Sequence, residues 1–245
     1  MQISTPALII KVMDMRENDR LVTLLTKNLG VVKAFVSGAK KVGHKNHSAT
    51  SLFCYSDFLL TRTGNTYKVK DASLINSFFN LSSNIENLAL AQYFCELTAT
   101  LSPEETPADE QLRLVLNTLN FLCKGNIDNT ILKSIFEMRT MVITGYMPNL
   151  LACSECGKFD DEIMSFSIEN GEICCKGCKS VNSNYLLNKT LLSALRHIVY
   201  SDFNKLFNFR VPPESAKQLN KITENYLIYQ TDRQYNTLNF YKSII

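Results

Sequence analysis

Two cysteine pairs, Cys153-x2-Cys156 and Cys175-x2-Cys178, stand with eighteen residues between them. Each x2 spacing can turn two thiolates the same way. Two such knuckles close a tetrahedral, all-sulfur site of the kind that holds structural Zn2+. Four thiolates leave no open coordination position, so the site would brace structure and would not activate water. Cys174 precedes Cys175, and Cys174-x3-Cys178 would also reach; repetition of the x2 knuckle favours Cys175.

A second chemistry is suggested by the basic residues near the N-terminus. Lys11, Arg16 and Arg20 flank one turn, Lys33 and Phe35 alternate onto one face, Lys40, Lys41 and Lys45 crowd a polar loop with His44, and Lys68 and Lys70 share a face. Cations with an aromatic platform suit a single nucleic-acid strand, the cations on phosphates and the ring on a base. Contact with about five phosphates would give a slope of log affinity against log salt of roughly −3.5 on a single strand. The competing reading is an ordinary solvated basic edge.

Catalytic candidates are few. His44-x2-His47 lies among lysines with no cysteine or carboxylate beside it, and His197 falls within an amphipathic helical pattern. No G-x-S-x-G elbow, H-E-x-x-H or H-x-E with P-C-x-x-C pattern occurs, and nine glycines supply little material for a phosphate-cradling loop. Cys54, Cys95 and Cys123 lie in strand or helix patterns and read as small buried hydrophobes. The expectation is a binding protein, not an enzyme.

The elements that must position these residues divide into two kinds. Runs at Ala7–Met13, Leu21–Thr26, Val31–Val36, Leu52–Thr61 and Tyr67–Leu74 are rich in Val, Ile, Leu, Thr and aromatics and are separated by turn residues, including Asn28-Leu29-Gly30 and Gly64-Asn65. Val32, Ala34 and Val36 alternate with Lys33 and Phe35, and Tyr67 and Val69 with Lys68 and Lys70. Five short strands in this length predict a small barrel of the OB type.

From residue 82 the apolar period becomes helical. Ser83-x2-Glu86 predicts a capping box, followed by the stripe Leu90, Tyr93, Phe94, Leu97, Leu101. Thr106-Pro107 predicts the start of the next helix. Further helices are expected from Thr130 to Tyr146, from Asn188 and near Pro213, their stripes serving as core. The fold class expected is therefore α+β: an OB-fold β-barrel over 1–80, then an α-helical domain over 81–245 with the four-cysteine module embedded at about 147–185.

The net charge of +3 conceals an asymmetry. Residues 1–80 hold eleven Lys/Arg against five Asp/Glu, and the remainder fifteen against eighteen. Between Met147 and Tyr185, three lysines face six acidic residues, so the electrostatics assign a polyanion to the barrel and not to the metal module. Eight cysteines without an apolar export layout point to a reducing, cytoplasmic setting.

Two sequence blocks carry a resemblance. Glu17-Asn18-Asp19-Arg20-Leu21-Val22-Thr23-Leu24-Leu25-Thr26 is followed by Gly30-Val31-Val32-Lys33 and Gly38-Ala39-Lys40-Lys41. Later come Phe136-Glu137-x-Arg139 and Gly145-Tyr146-x-Pro148-x-Leu150-x2-Cys153-x2-Cys156-Gly157. In order and at this chain length, the blocks resemble the RecO family of bacterial recombination mediators. The stretch after Pro213 carries no such block. The resemblance implies an OB domain, a helical bundle and a zinc-binding region. It also implies binding of single- and double-stranded DNA, annealing of complementary strands, and action with RecR to load RecA onto strands coated by SSB, in the RecF pathway and near the nucleoid. Glu137 and Arg139 are expected to be structural anchors, with an SSB-tail site as the other reading.

Two competing readings stay open here. One is an OB-plus-zinc protein acting on RNA or the ribosome; the other, a zinc-dependent nucleic-acid enzyme, would call for an open metal position that a fourth cysteine fills.

Overall fold

The computed structural model describes residues 2–15, 18–40, 46–64, 66–178 and 185–245. Arg16, Lys41, His44, Lys45 and Asn65 fall outside them. Five strands, β1 (Gln2–Met15), β2 (Asp19–Thr26), β3 (Gly30–Val36), β4 (Cys54–Thr63) and β5 (Thr66–Ser77), close into a barrel in the order β1-β2-β3-β5-β4. The expected α+β architecture, an OB-type barrel followed by helices, is the one observed. Alternation drives it: Ile9, Val22, Leu24, Val32, Ala34, Val36, Phe58, Leu60 and Val69 point inward and form the barrel core.

All pairings are antiparallel except the closing one. There β3 and β5 run parallel and join through only Ala34↔Tyr67 and Phe35↔Lys68. Irregularities interrupt the alternation. The register steps from Ile9 to Lys11 on β1 and from Leu59 to Leu60 on β4, leaving Ile10 and Lys70 as the extra residues. Such bulges re-aim the side chains that follow, and after Ile10 the solvent face passes to Lys11.

The helices are α1 (Ile85–Leu101), α2 (Asp109–Lys124), α3 (Asn129–Ile143), α4 (Lys189–Tyr200), α5 (Pro213–Thr231) and α6 (Asn236–Ile244). Two expected starts move. Asn84, not Ser83, caps α1: its side chain accepts from Asn87 N–H at 3.0 Å, while the Ser83 hydroxyl is spent on Asn80 O. Thr106-Pro107 does not open α2, because segment 103–108 is drawn onto the barrel. Val31 N–H donates to Pro103 O and Ala108 N–H to Lys27 O. Gly30 permits that approach, since a Cβ there would lie 2.1 Å from Pro103 O, and its φ is +62°.

The chain resolves into two compact units: Met1–Gly125 with Tyr235–Ile245, and Asn126–Gln234. Strands give way to helices after Ser77, but compactness groups α1, α2 and α6 with the barrel. In the first unit Glu96 of α1 accepts from Thr237 N–H at 3.0 Å and from the Thr237 hydroxyl, which caps the start of α6. The second unit holds α3, α4 and α5 with a small sheet that periodicity did not reveal. Its strands are β6 (Ile163–Ser167), β7 (Glu172–Cys175) and β8 (Tyr185–Asn188), in the order β7-β6-β8. Among the described residues no helix is long and apolar enough to cross a membrane.

Candidate nucleic-acid interface and metal centre

Strand pairing places outward residues in rungs around the barrel wall. Lys11 pairs with Thr23 and Thr23 with Lys33, which makes one rung across β1, β2 and β3. The next rung runs Met13, Leu21, Phe35, Lys68, Thr61 across all five strands. Directly paired residues project to the same side. An apolar ladder, with Met13 47% and Phe35 38% exposed, is thus bordered by Lys11 and Lys33 on one side and ends at Lys68. Lys70 is exposed on β5 at its bulge. None of Lys11, Lys33, Lys68 and Lys70 has an ion-pair partner among the described residues.

Arg20 and Lys40 differ. Asp14 holds Arg20 Nε at 3.2 Å and Lys40 Nζ at 3.5 Å, and the Arg20 side chain is largely covered. Asp14 partly neutralises both cations. Arg16, Lys41 and Lys45 lie outside the described residues. The wall therefore gathers Lys11, Lys33, Phe35, Lys68 and Lys70, and adds Met13 and Leu21, which the sequence reading did not single out. Two-residue alternation could have marked Leu21. Met13 becomes a wall residue only through the bulge before it.

In the second unit the Sγ atoms of Cys153, Cys156, Cys175 and Cys178 lie within 4.8 Å of one another, with Cys156 and Cys175 3.6 Å apart. A tetrahedral ion with sulfur ligands at about 2.3 Å needs S–S edges of about 3.8 Å, so the four thiols fit one four-coordinate soft ion. Strand alternation settles the choice between neighbours. On β7, Cys175 is opposite Met164 and faces the cluster, whereas Cys174 is opposite Ser165 and its Sγ lies 3.3 Å from the Ser154 hydroxyl.

Local backbone builds the first knuckle. Gly157 N–H donates to Cys153 O at 2.9 Å with Gly157 at φ +73°, Cys153 N–H donates to Lys158 O at 2.9 Å, and Ser154 N–H ties the loop to Ile173 O at 2.9 Å. Burial raises the Cys153 pKa, but backbone hydrogen bonds from Cys175, Cys156 and Glu155 outweigh it and bring the thiol down to about 6. Hydrogen bonding to Cys156 and Cys175 pushes Cys178 up to about 12. Four thiols this close cannot all ionise without a cation among them, and their arrangement could hold one.

Arg196 of α4, whose role here no spacing rule marks, fastens the first knuckle. It donates to Leu150 O at 2.7 Å, to Leu151 O at 2.8 Å, to Phe159 O and to Asp160 at 2.8 Å, and it lies 4.1 Å over the Phe159 ring. Lys158 pairs with Asp161 at 3.2 Å, and Asp161 also accepts from Lys176 N–H at 3.2 Å, which links the two knuckles. Hydrogen bonding to Glu162 N–H and to Lys158 lowers the Asp161 pKa.

The remaining candidates are engaged within the chain. Glu137 is fully buried, paired with Lys133 at 2.7 Å and accepting from the Thr223 hydroxyl at 2.7 Å; Lys133 also holds Glu224 at 2.8 Å. Burial opposes the Lys133 charge, but the two carboxylates outweigh it and raise its pKa. Arg139 donates to Val199 O at 2.9 Å and Ile198 O at 3.2 Å, and so closes the C-terminal end of α4. Both residues anchor the second unit. His47 bonds Ala39 O at 2.7 Å and His197 bonds Lys205 O at 2.9 Å. Burial pushes the thiols of Cys54 and Cys95 up to about 11 and about 12, as suits inert core cysteines.

The family model described as Recombination protein O N terminal matches residues 1–78, and that described as Recombination protein O C terminal matches residues 82–239. The second match includes the stretch after Pro213. A DNA repair protein RecO of Acetivibrio thermocellus is 29% identical over 99% of this chain and 97% of its own length. One from Dehalococcoides mccartyi is 30% identical over 88% of this chain and 85% of its own. Another, from Alkaliphilus metalliredigens, is 25% identical over the whole of both.

Proposed function

The chain belongs to the RecO family, and from that premise we propose that it is a DNA-repair mediator that works by binding and not by catalysis. Its ligands are single- and double-stranded DNA. Its activity is the annealing of complementary strands and, with RecR, the loading of RecA onto single strands coated by SSB in the RecF pathway, in the cytoplasm at the nucleoid.

The observation that carries this reading is the rung geometry of the barrel wall, where Lys11, Lys33, Lys68 and Lys70 border the ladder Met13, Leu21, Phe35. Lysines on phosphates position a strand, and an exposed ring and thioether beside them give bases a surface to stack on. Annealing needs two polyanions held together with their charge offset and their bases free to pair, and a convex wall with dispersed cations meets that need. With Arg20 and Lys40 engaged by Asp14, about four phosphates remain to be neutralised, for a salt slope of roughly −3 on a single strand.

We assign the four-cysteine cluster to Zn2+, held by Cys153, Cys156, Cys175 and Cys178. Bound there, the ion supplies cross-linking between the loop after Leu150 and the end of β7, with every coordination position filled by sulfur. Leu150 and Asp160 stay in register through Arg196.

The test is a strand-annealing assay with complementary oligonucleotides, with and without a single-strand-binding protein. Acceleration at low salt that fades as salt rises is expected. No acceleration at any salt, or preference for structured RNA over DNA, would remove the proposal in favour of a ribosome- or RNA-associated role.

A further inference from the structure

Where β3 and β5 part company beyond their two paired residues, the barrel wall opens into a cleft of about 370 Å3 lined chiefly by Lys33, Arg62, Tyr67, Glu104 and Glu105. Lys33 belongs at once to this cleft and to the outer rung, so a strand lying on the wall has a direct path into it.

Arg62 stands at the end of β4 and was not among the cations that the sequence singled out. Its Nη2 donates to Glu105 Oε1 at 2.7 Å and its Nε to Gly64 O at 3.4 Å. Both partners of the ion pair are about half exposed, with side chains 50% and 57% accessible. An exposed pair of this kind is weak and readily exchanged.

Glu105 adopts φ +57°, a left-handed conformation that residues other than Gly, Asn and Asp seldom take. The segment around it is fixed on both sides. Before it, Glu104 forms a bridge with Gly30 and Val31 N–H donates to Pro103 O at 3.0 Å; after it, Ala108 N–H donates to Lys27 O at 3.0 Å. A carboxylate is thus delivered to the guanidinium by a constrained backbone, in a cleft that also holds a lysine. A surface ion pair by itself requires neither feature. Carboxylate and phosphate offer a guanidinium the same paired oxygens.

We propose that Arg62 is a further phosphate-binding residue and that Glu105 occupies it as an internal carboxylate which a backbone phosphate of a bound single strand displaces. The proposal rests on the barrel-wall reading of the DNA interface. Displacement leaves Arg62 on the phosphate in a cleft that Lys33 also lines. The exchange keeps Arg62 paired until a strand is seated along the Lys33 rung.

The experiment is fluorescence anisotropy of oligo-dT with the full chain across a salt series. Glu105→Asn keeps a residue that tolerates the left-handed backbone, and Glu105→Gly is the second variant; unchanged metal content and melting temperature confirm that each is folded. Both are expected to bind roughly two- to fivefold more tightly at low salt, with the salt slope little changed, because a phosphate reaches Arg62 in the unaltered chain as well. Arg62→Ala is expected to abolish that gain when combined with either. Unchanged affinity in both Glu105 variants overturns the proposal. So does tightening that survives Arg62→Ala, because the gain would then be general removal of negative charge. If Lys33→Glu with Lys68→Glu leaves affinity intact, the barrel-wall premise fails, and the proposal with it.

Discussion

On the barrel wall, Lys11, Lys33, Lys68 and Lys70 reach solvent with no ion-pair partner among the described residues. Around the cysteines of the second unit the charges are engaged. Arg196 spends its donors on three carbonyls and Asp160, Lys158 holds Asp161, and deeper in the same unit Lys133 joins Glu137 to Glu224. The contrast separates two uses of charge. A cation left unsatisfied on a regular strand is available to an external polyanion. A cation whose donors are filled by carbonyls and carboxylates fixes the geometry of its own chain and has little left to offer a ligand. Asp14 shows the boundary within the barrel itself, since it converts Arg20 and Lys40 from the first kind toward the second.

The largest expected effect breaks the saturated region. Cys153→Ser removes one of the four thiols assigned to the metal and should cost about 4–5 kcal/mol or more in the stability of the second unit. Metal analysis with thermal unfolding checks it. Unchanged stability accompanied by lost activity would show the site to be functional and not a brace, and would erase the contrast drawn above.

The next effect breaks the unsaturated region. Lys33→Glu combined with Lys68→Glu should weaken oligo-dT binding by about an order of magnitude or more and flatten the salt slope by about 1.4, two phosphate contacts at roughly 0.7 each. Metal content and melting temperature should not move. Parallel loss of binding and of metal would mean that the variant had unfolded.

Phe35→Ala sharpens the comparison at smaller amplitude. It removes the ring of the exposed ladder and should cost about 1–3 kcal/mol in single-strand binding while leaving the salt slope unchanged. An altered slope with little change in affinity at low salt would make Phe35 a support for its neighbours and not a stacking platform.

Much of this was legible along the chain, for identifiable reasons. The cysteine pairs were readable because a knuckle is closed by residues three apart, and the faces of Lys33, Phe35, Lys68 and Lys70 because strand alternation is local. Local rules also misled where tertiary contacts competed. The Ser83 hydroxyl turned back to Asn80, which left Asn84 to cap α1, and the residues around Thr106-Pro107 were taken up by the barrel at Lys27 and Val31. Sheet β7-β6-β8 escaped notice because strands of four or five residues give alternation too little length to register.

By itself the amino-acid order determined which side chains carry chemistry and which way each points from its own element, since thiolate pairing and two-residue alternation act within a few bonds of backbone. Only the folded chain decided which of them meet. The two-residue closure of β3 on β5 aligned Phe35 with Lys68, the alternation at β7 sent Cys175 and not Cys174 into the thiol cluster, and a loop forty-three residues downstream brought Glu105 to Arg62. Those encounters depend on register and loop closure between distant segments, where many arrangements satisfy the same local pattern and the packed core selects one.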